Sequence, residues 1–260
     1  MRCALLQMRS GIDPQANADT VAEALHGLEA DFVLTPEMTP LLQRDPADLR
    51  AVVRPEADTV APYAELARHH RIHLLLGSAA ILREDGRIAN RSVLLGPDGG
   101  VVARYDKIHL FEAHLPGGET YREADSYAAG QAAATAPIGD MSVGLTICYD
   151  LRFPALYRGY GRTGVDAICA PSAFTRATGK AHWLTLLRAR AIETGAWLLA
   201  PAQGGSHADG RRTWGRTAAI SPWGEVAGLL DHDRPGVLAV EVTRKAVLDA
   251  RARIPAWRQS

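Results

Sequence analysis

The stretch Leu145-Thr146-Ile147-Cys148-Tyr149-Asp150-Leu151-Arg152-Phe153-Pro154 organises the rest of the chain. The alternating apolar run over residues 143–147 predicts a strand that stops at a cysteine. Asp150 is placed to cap the segment that follows, and Pro154 suits the first turn of a helix. At such an elbow a thiol can be exposed, and helix N–H groups can stabilise a thiolate. The alternative is a buried core thiol, the commonest fate of a free cysteine.

The length and charge of the chain restrict its class. Its length of 260 residues favours a single α/β domain over residues 1–260, and its net formal charge is zero. No run of like charges indicates a nucleic-acid partner, and no apolar run suits a membrane span or a signal peptide. Cys3, Cys148 and Cys169 are far apart and form neither a disulfide framework nor a zinc pattern. This usage predicts a reducing, cytoplasmic location.

Periodicity predicts strands and helices that alternate, with hairpins between some of them. Strands are predicted over residues 3–8, 31–38, 72–82, 90–95, 101–107, 142–148, 165–171, 196–200, 217–220, 225–229 and 236–242. Helices are predicted over residues 19–28, 58–70, 154–160, 178–194 and 243–253. Turns at residues 84–87 and 97–100 would form hairpins, whereas 109–130 is expected to be a functional loop and 204–214 a polar loop. This order favours an α/β fold with mixed sheets over a barrel of eight equal units.

Three of the predicted strands end in side chains of complementary chemistry: Glu37, Lys107 and Cys148. Ligand sites in open α/β sheets gather at the carboxyl ends of strands, so these side chains can meet. Glu37 would take the thiol proton and later deliver it to a leaving amine. Lys107 would stabilise the thiolate and an oxyanion, with the N–H of Tyr149 as a second donor. Taken singly, the two charged residues are more often surface groups.

Three local motifs resemble, in the same order, the three signatures of the nitrilase (carbon–nitrogen hydrolase) superfamily. The motifs are Pro36-Glu37, Tyr105-Asp106-Lys107-Ile108-His109-Leu110-Phe111 and Cys148-Tyr149-Asp150-Leu151-Arg152-Phe153-Pro154. The resemblance covers essentially the whole chain and implies a four-layer αββα sandwich with mixed sheets and no metal or organic cofactor. It also implies that Glu37 is the general base, Lys107 the oxyanion stabiliser and Cys148 the nucleophile.

A second glutamate often follows the lysine in this superfamily, and Tyr121-Arg122-Glu123-Ala124-Asp125 resembles its context. The resemblance implies that Glu123 orients Lys107 and tunes its charge. Two departures lie beside the site, because Ala124 replaces the usual serine and Glu112 stands where aspartate is common. We expect them to affect the loop more than the reaction.

Residues 171–175, 178–183 and 187–193 resemble the Nit branch of the superfamily, and are more similar to deaminated-glutathione amidases than to ω-amidases. The resemblance implies a small amide substrate that bears a carboxylate, hydrolysed through a cysteine thioester. The residues expected to line its pocket are Tyr149, Arg152, Phe174 and Thr175. The residues expected to meet its carboxylates are Arg176, Lys180 and Arg211.

Other functions stay open at this stage. They are an ω-amidase acting on 2-oxo-acid amides, a nitrilase, a carbamoyl-amide hydrolase and, in a different class, a non-catalytic binding protein on the same fold. The histidines lack metal-ligand spacing and the Gly-Gly pairs lack phosphate-binding patterns, so we expect neither a metal nor a nucleotide. The resemblance implies a homodimer or a larger homo-oligomer.

Overall fold

The structure is a computed structural model that describes residues 1–114 and 120–258. The strands are β1 (Arg2–Gln7), β2 (Phe32–Leu34), β3 (His73–Leu82), β4 (Ile88–Leu95), β5 (Val101–Asp106), β6 (Glu112–His114), β7 (Thr120–Arg122), β8 (Tyr127–Ala128), β9 (Ala134–Ile138), β10 (Met141–Leu145), β11 (Ala167–Cys169), β12 (Trp197–Ala200), β13 (Gly204–Ser206), β14 (Arg212–Trp214), β15 (Ala218–Ile220), β16 (Val226–Leu229) and β17 (Gly236–Glu241). The helices are α1 (Pro14–Leu25), α2 (Pro46–Val52), α3 (Glu56–His70), α4 (Pro154–Thr163), α5 (Arg176–Thr194) and α6 (Arg244–Arg253). None of the helices in the described ranges is long and apolar enough to cross a membrane.

Two mixed sheets form the centre of the fold. The first has the order β17-β1-β2-β3-β4-β5, and its strands β1, β2 and β3 run parallel. The second has the order β16-β15-β12-β11-β10-β9, and its strands β10, β11 and β12 run parallel. Both sheets add antiparallel strands at their edges. The predicted mixed-sheet α/β class is therefore confirmed.

The alternation of side chains along β1 shows how the layers are built. Cys3 and Leu5 belong to the core that the first sheet shares with the second. Ala4 and Leu6 point to the opposite face and pack with α1 and α3. Because successive strand residues face opposite sides, one strand can serve both cores. On the far side of the second sheet, α5 buries its stripe of Trp183, Leu187 and Ala191. The result is the expected four-layer αββα sandwich.

Polar caps set the beginnings of several helices. The side chain of Asp13 accepts the N–H groups of Gln15 and Ala16, so α1 begins five residues earlier than predicted. Asp45 caps α2 in the same way, a helix that periodicity did not predict. Thr175 caps α5, which begins two residues upstream of its predicted start.

The predicted loops contain short strands. The 109–130 segment includes the antiparallel pair β6 and β7, whereas its residues 115–119 lie outside the described residues. The 204–214 segment is the hairpin of β13 and β14. The strand β9, which was not predicted, pairs with β10. The strands β6, β7, β13 and β14 are three residues long and lie in polar stretches, so hydrophobic periodicity does not reveal them.

The elbow after β10 differs from its prediction in one respect. A 3-10 turn over Cys148–Arg152 comes first, and α4 then begins at Pro154. Asp150 does not cap α4; its carboxylate accepts the N–H of Ile147, the residue before the turn, at 2.9 Å. The proline was therefore assigned correctly, whereas the cap was assigned to the wrong element.

Candidate active site

Four side chains from distant parts of the sequence line one cavity of about 240 Å³: Glu37, Lys107, Glu123 and Cys148. Glu37 follows β2, Lys107 follows β5 and Cys148 follows β10. The two sheets present these strand ends at the same side of the sandwich. The structure therefore brings together a carboxylate, an ammonium and a thiol around a space of small-molecule size.

Lys107 is the centre of the charged cluster and is 2 % exposed. Its Nζ lies 2.8 Å from Oε1 of Glu37 and 2.9 Å from Oε2 of Glu123. Burial opposes the charged form of Lys107, but the carboxylates of Glu123 and Glu37 outweigh it and raise the pKa of Lys107 well above its usual value. The lysine is therefore a fixed cation held between two carboxylates.

Glu37 is buried, and both of its oxygens accept hydrogen bonds. Oε1 accepts from Lys107 at 2.8 Å, and Oε2 accepts from the N–H of Ala173 at 2.9 Å. Burial favours the neutral acid, but the ammonium of Lys107 and the donors around the carboxylate hold the pKa of Glu37 below its usual value. The side chain also lies within hydrogen-bonding reach of the Cys148 thiol. An ionised carboxylate that touches a thiol is equipped to take its proton.

Cys148 has a left-handed backbone conformation, with φ at +47°. A non-glycine residue is strained there and needs support from its surroundings. Its N–H donates to the carbonyl of Pro171 at 2.9 Å, which contributes that support. Burial and the charge of Glu37 raise the pKa of Cys148 well above its usual value, against the opposing effect of Lys107. The resting group is therefore a buried thiol beside a base.

Asp150 braces the elbow from inside the protein and is fully buried. Its Oδ2 accepts the hydroxyl of Tyr105 at 2.7 Å and the N–H of Ile147 at 2.9 Å. Its Oδ1 accepts the N–H of His109 at 3.0 Å and lies 2.7 Å from Nδ1 of the same histidine. The ring of His109 in turn stacks on Phe153, with centroids 3.7 Å apart. Sequence reasoning missed this brace, although Tyr105 and His109 both lie in the lysine motif.

Asn90 is a further site residue that sequence reasoning missed. It lies in β4, is fully buried, and its Nδ2 donates to Oε1 of Glu37 at 3.1 Å and to Oε1 of Glu123 at 2.9 Å. A polar residue in the predicted strand 90–95 is the one sequence signal that pointed to it. Glu123 also accepts the N–H of Phe111 at 2.7 Å.

The four residues predicted to line the pocket, Tyr149, Arg152, Phe174 and Thr175, all do so. The guanidinium of Arg152 lies 5.1 Å from the ring centroid of Phe174 and 5.8 Å from that of Tyr149. Its stacking on these rings limits the orientations open to the cation. The side walls of the cavity are therefore aromatic, with a positive charge.

Four arginines contribute to the cavity lining. Arg44, Arg122, Arg152 and Arg211 are the arginines that contribute. A second, outer groove shares part of this wall and is lined by Arg44, Tyr121, Thr175, Arg176, Ala177, Gly210, Arg211 and Arg212. Arg176 thus lies at the outer groove and Arg211 at both. Lys180 is exposed on α5 and lines neither space, so the contact expected of it is not supported.

Over residues 1–114 and 120–258, no group of three or more His, Cys, Asp or Glu side chains could hold a metal ion. The rings of His69 and His70, from the histidine cluster seen in the sequence, meet edge to face at 4.9 Å.

Comparison with known proteins shows which family the chain belongs to. The carbon–nitrogen hydrolase family matches residues 2–252. The chain belongs to the carbon–nitrogen hydrolase family. A deaminated glutathione amidase from Yersinia enterocolitica is 36 % identical over 261 residues, which cover 97 % of this chain and 90 % of that protein. The hydrolase is thus an amidase that cleaves carbon–nitrogen bonds other than peptide bonds, as the motifs implied.

Solved structures of related hydrolases agree with the fold. The Caenorhabditis elegans NitFhit protein has a TM-score of 0.89 and 31 % identity; the match covers all of this chain but 64 % of that one. A glutamate-to-glutamine variant of the amidase from Nesterenkonia sp. AN1 has a TM-score of 0.81 and 26 % identity, over 98 % of both chains. In that structure the active-site cysteine carries the product of Michael addition of acrylamide. Cysteine-dependent chemistry is therefore established among the neighbours of this hydrolase.

Proposed function

We propose that this amidase hydrolyses small amides that bear a carboxylate, through a thioester on Cys148. The observation that carries the proposal is the shared cavity, which the thiol of Cys148 lines together with Glu37, and where Lys107 lies between the two glutamates. Cys148 acts as the nucleophile, Glu37 as the general base and acid, and Lys107 as the oxyanion stabiliser. Glu123 is a positioning residue that keeps Lys107 charged and in place.

The first half-reaction forms the thioester. The sulfur of Cys148 bonds to the amide carbonyl carbon while its proton passes to Glu37, which suits a thiol of raised pKa beside an ionised carboxylate. The carbonyl π electrons move to oxygen, and the ammonium of Lys107 stabilises the resulting oxyanion. As the oxyanion collapses, the C–N bond breaks and Glu37 gives its proton to the departing nitrogen, which leaves as ammonia or an amine.

The second half-reaction regenerates the enzyme. Water attacks the thioester carbon while Glu37 removes one of its protons. The C–S bond then breaks, and the sulfur of Cys148 regains that proton as the carboxylic acid departs. One base serves both steps because it is ionised at the start of each, as its low pKa requires.

The charge of the pocket supports a carboxylate-bearing substrate. The acidic residues that line the inner cavity within the described chain are Glu37 and Glu123, and both are engaged by Lys107. Arginines line much of the remaining wall and of the outer groove. Guanidinium groups pair with carboxylates through two parallel hydrogen bonds. Deaminated glutathione, which has a carboxylate at each end, suits a short inner cavity that continues into a basic groove, and we propose it as the substrate.

Trapping the intermediate tests the chemistry. Enzyme quenched during turnover should carry an acyl group on Cys148, detected by mass spectrometry of the intact protein and its peptides. The Cys148→Ala variant should carry none and should release neither ammonia nor an amine from the amide. An unmodified Cys148 during steady turnover, under conditions where hydrolysis of the adduct limits the rate, would contradict the thioester route.

A substrate panel tests the specificity. Release of cysteinylglycine from deaminated glutathione should be faster than release of ammonia from 2-oxoglutaramate, which is too short to reach the outer groove. The reverse order would make the protein an ω-amidase, and preference for a nitrile or a carbamoyl amide would assign it to another branch. No turnover across the panel, with ligand binding that survives Cys148→Ala, would indicate a binding protein on this fold.

The assembly and location of the protein are proposed on separate grounds. We propose that residues 1–260 act as one domain and that the protein forms a homodimer, as the family resemblance implies; light scattering at micromolar concentration would test this. Its cysteines are buried free thiols, which suits a reducing compartment, and we propose the cytoplasm. Cell fractionation would test that location.

A further inference from the structure

We propose that Asn90 is a positioning residue for the reaction: its side-chain amide holds Glu37 and Glu123 on either side of Lys107 and keeps one oxygen of Glu37 out of the proton transfer. The proposal rests on the function proposed above, in which Glu37 is the base. It is carried by the position of Asn90, which contacts all three charged residues of the cluster.

The contacts of Asn90 come from both its side chain and its backbone. Nδ2 donates to Oε1 of Glu37 at 3.1 Å and to Oε1 of Glu123 at 2.9 Å. The backbone carbonyl of Asn90 accepts the N–H of Lys107 at 2.9 Å. One residue of β4 therefore holds the backbone of Lys107 and the carboxylates of two glutamates that are distant from it in sequence.

The orientation of the amide follows from its neighbours. If the amide were flipped, its oxygen would face two carboxylate oxygens, with no proton between them. The NH₂ group must therefore face the glutamates. Its two hydrogens match the two acceptors, one for each carboxylate.

The other end of the amide has no such partner. Asn90 is fully buried, and within the described chain its Oδ1 has no hydrogen-bond partner. A buried acceptor without a partner costs stability, so an apolar residue of similar size would suit this packing better. The cost is understandable if the donor end of Asn90 is needed by the two glutamates.

The contacts also distinguish the two oxygens of Glu37. Oε1 accepts from both Lys107 and Asn90, whereas Oε2 accepts from the N–H of Ala173. Oε2 therefore carries fewer donors than Oε1, and it is the oxygen that takes the proton. Asn90 is neutral, so it secures Oε1 without altering the charge of the cluster.

The experiment compares Asn90→Leu and Asn90→Asp with Ser92→Ala. Ser92 is equally buried in the same strand and on the same face, and its hydroxyl donates to the carbonyl of Leu76, away from the cluster. The readout is the rate at which iodoacetamide alkylates Cys148, followed by mass spectrometry from pH 3 to pH 9. This readout needs no knowledge of the substrate, so a wrong substrate assignment leaves it interpretable.

In the wild type, the rate of alkylation should fall at acid pH as Glu37 becomes protonated. This falling part of the pH–rate profile is called its acid limb here. Asn90→Leu removes a donor from the carboxylate, so the acid limb should move up by about one pH unit. Asn90→Asp keeps the size of the side chain and adds a third carboxylate, so it should move the limb in the same direction even if Asn90→Leu fails to fold. Ser92→Ala should leave the limb in place. An unmoved limb in a folded Asn90 variant, or an equal shift in Ser92→Ala, would overturn the proposal.

The same variants measured with an amide separate the two proposals. If the wild type hydrolyses the amide, Asn90→Leu should lower kcat about 10- to 100-fold with little change in KM, because the loss is in the alignment of the base. If the wild type hydrolyses no amide while the alkylation limb still shifts in the Asn90 variants, the proposed function fails and the role of Asn90 stands.

Discussion

Tyr105 donates its hydroxyl hydrogen to Oδ2 of Asp150 at 2.7 Å, and both side chains are buried. Tyr105 lies in β5 of the first sheet, two residues before Lys107. Asp150 lies two residues after Cys148, at the elbow of the second sheet. This bond therefore links the segments that carry the ammonium and the nucleophile.

Tyr105→Phe is predicted to loosen this link. A hydrogen bond to a buried carboxylate is lost without a change in ring packing, so the free energy of unfolding should fall by about 1–3 kcal/mol. Turnover should fall as well, because the elbow loses a support. Tyr63→Phe is the matched control: Tyr63 is equally buried, and its hydroxyl has no hydrogen-bond partner within the described chain. Urea denaturation should give the control a stability equal to or above that of the wild type.

The titration of Cys148 should respond in opposite directions to its two charged neighbours. The negative charge of Glu37 raises the pKa of this thiol and the ammonium of Lys107 lowers it. Glu37→Gln should therefore lower the pKa of Cys148, and Lys107→Met should raise it further. The ultraviolet absorbance of the thiolate, after subtraction of Cys148→Ala, measures both shifts.

Turnover should nevertheless fall in both of these variants. Glu37→Gln gains thiolate but loses the group that carries the proton, so kcat should fall roughly 10²- to 10⁴-fold. An active Glu37→Gln enzyme with a lowered thiol pKa would show that thiolate formation, and not proton transfer by Glu37, limits the reaction.

Arg44→Gln is predicted to weaken the binding of carboxylate-bearing amides selectively. Arg44 lines both the inner cavity and the outer groove, and no ion pair to it is found among the described residues. KM for deaminated glutathione should rise about tenfold, equivalent to about 1.4 kcal/mol, whereas an uncharged amide should be unaffected. Arg162→Gln, an exposed change on α4 away from both spaces, is the control. Equal losses for charged and uncharged amides would contradict a role in carboxylate binding.

The sequence was informative where a reactive side chain ends a predicted strand. Glu37, Lys107 and Cys148 each end such a strand within a local motif, so their positions in the fold could be predicted. Asn90 has no motif of its own. The role proposed for Asn90 depends on its hydrogen bonds to Glu37 and Glu123. These residues are 53 and 33 positions away in the sequence and come together with Asn90 when the chain folds.

The direction in which the pKa of Cys148 is shifted could not be predicted for a related reason. The elbow offered helix N–H groups and a lysine, which can stabilise a thiolate. Burial and the neighbouring carboxylate have the opposite effect, and both arise from tertiary packing. Lys180 is a parallel case, since its place in a motif did not reveal that its side chain is outside the pocket.

Gly77→Ala is predicted to disrupt the site from a position outside it. A Cβ on Gly77 would clash with the carbonyl oxygen of Thr35, and would lie 2.5 Å from that of Pro36 and 2.7 Å from Cβ of Pro171. Thr35 and Pro36 lead directly into Glu37, and the carbonyl of Pro171 accepts the N–H of Cys148. Because two of these three neighbours are backbone atoms, relief requires movement of the segments that hold the base and the nucleophile.

The expected result is a loss of about 1–3 kcal/mol in the free energy of unfolding, together with a larger fall in kcat than that loss alone explains. Gly159→Ala tests whether the effect is specific, because a Cβ there meets nothing within 4 Å and the residue lies inside α4. That change should stabilise the protein by up to about 1 kcal/mol, since alanine favours a helix more than glycine does. Thermal unfolding and kcat should be measured on both variants. A fully active Gly77→Ala enzyme would show that Glu37 and Cys148 do not depend on the close approach of these segments.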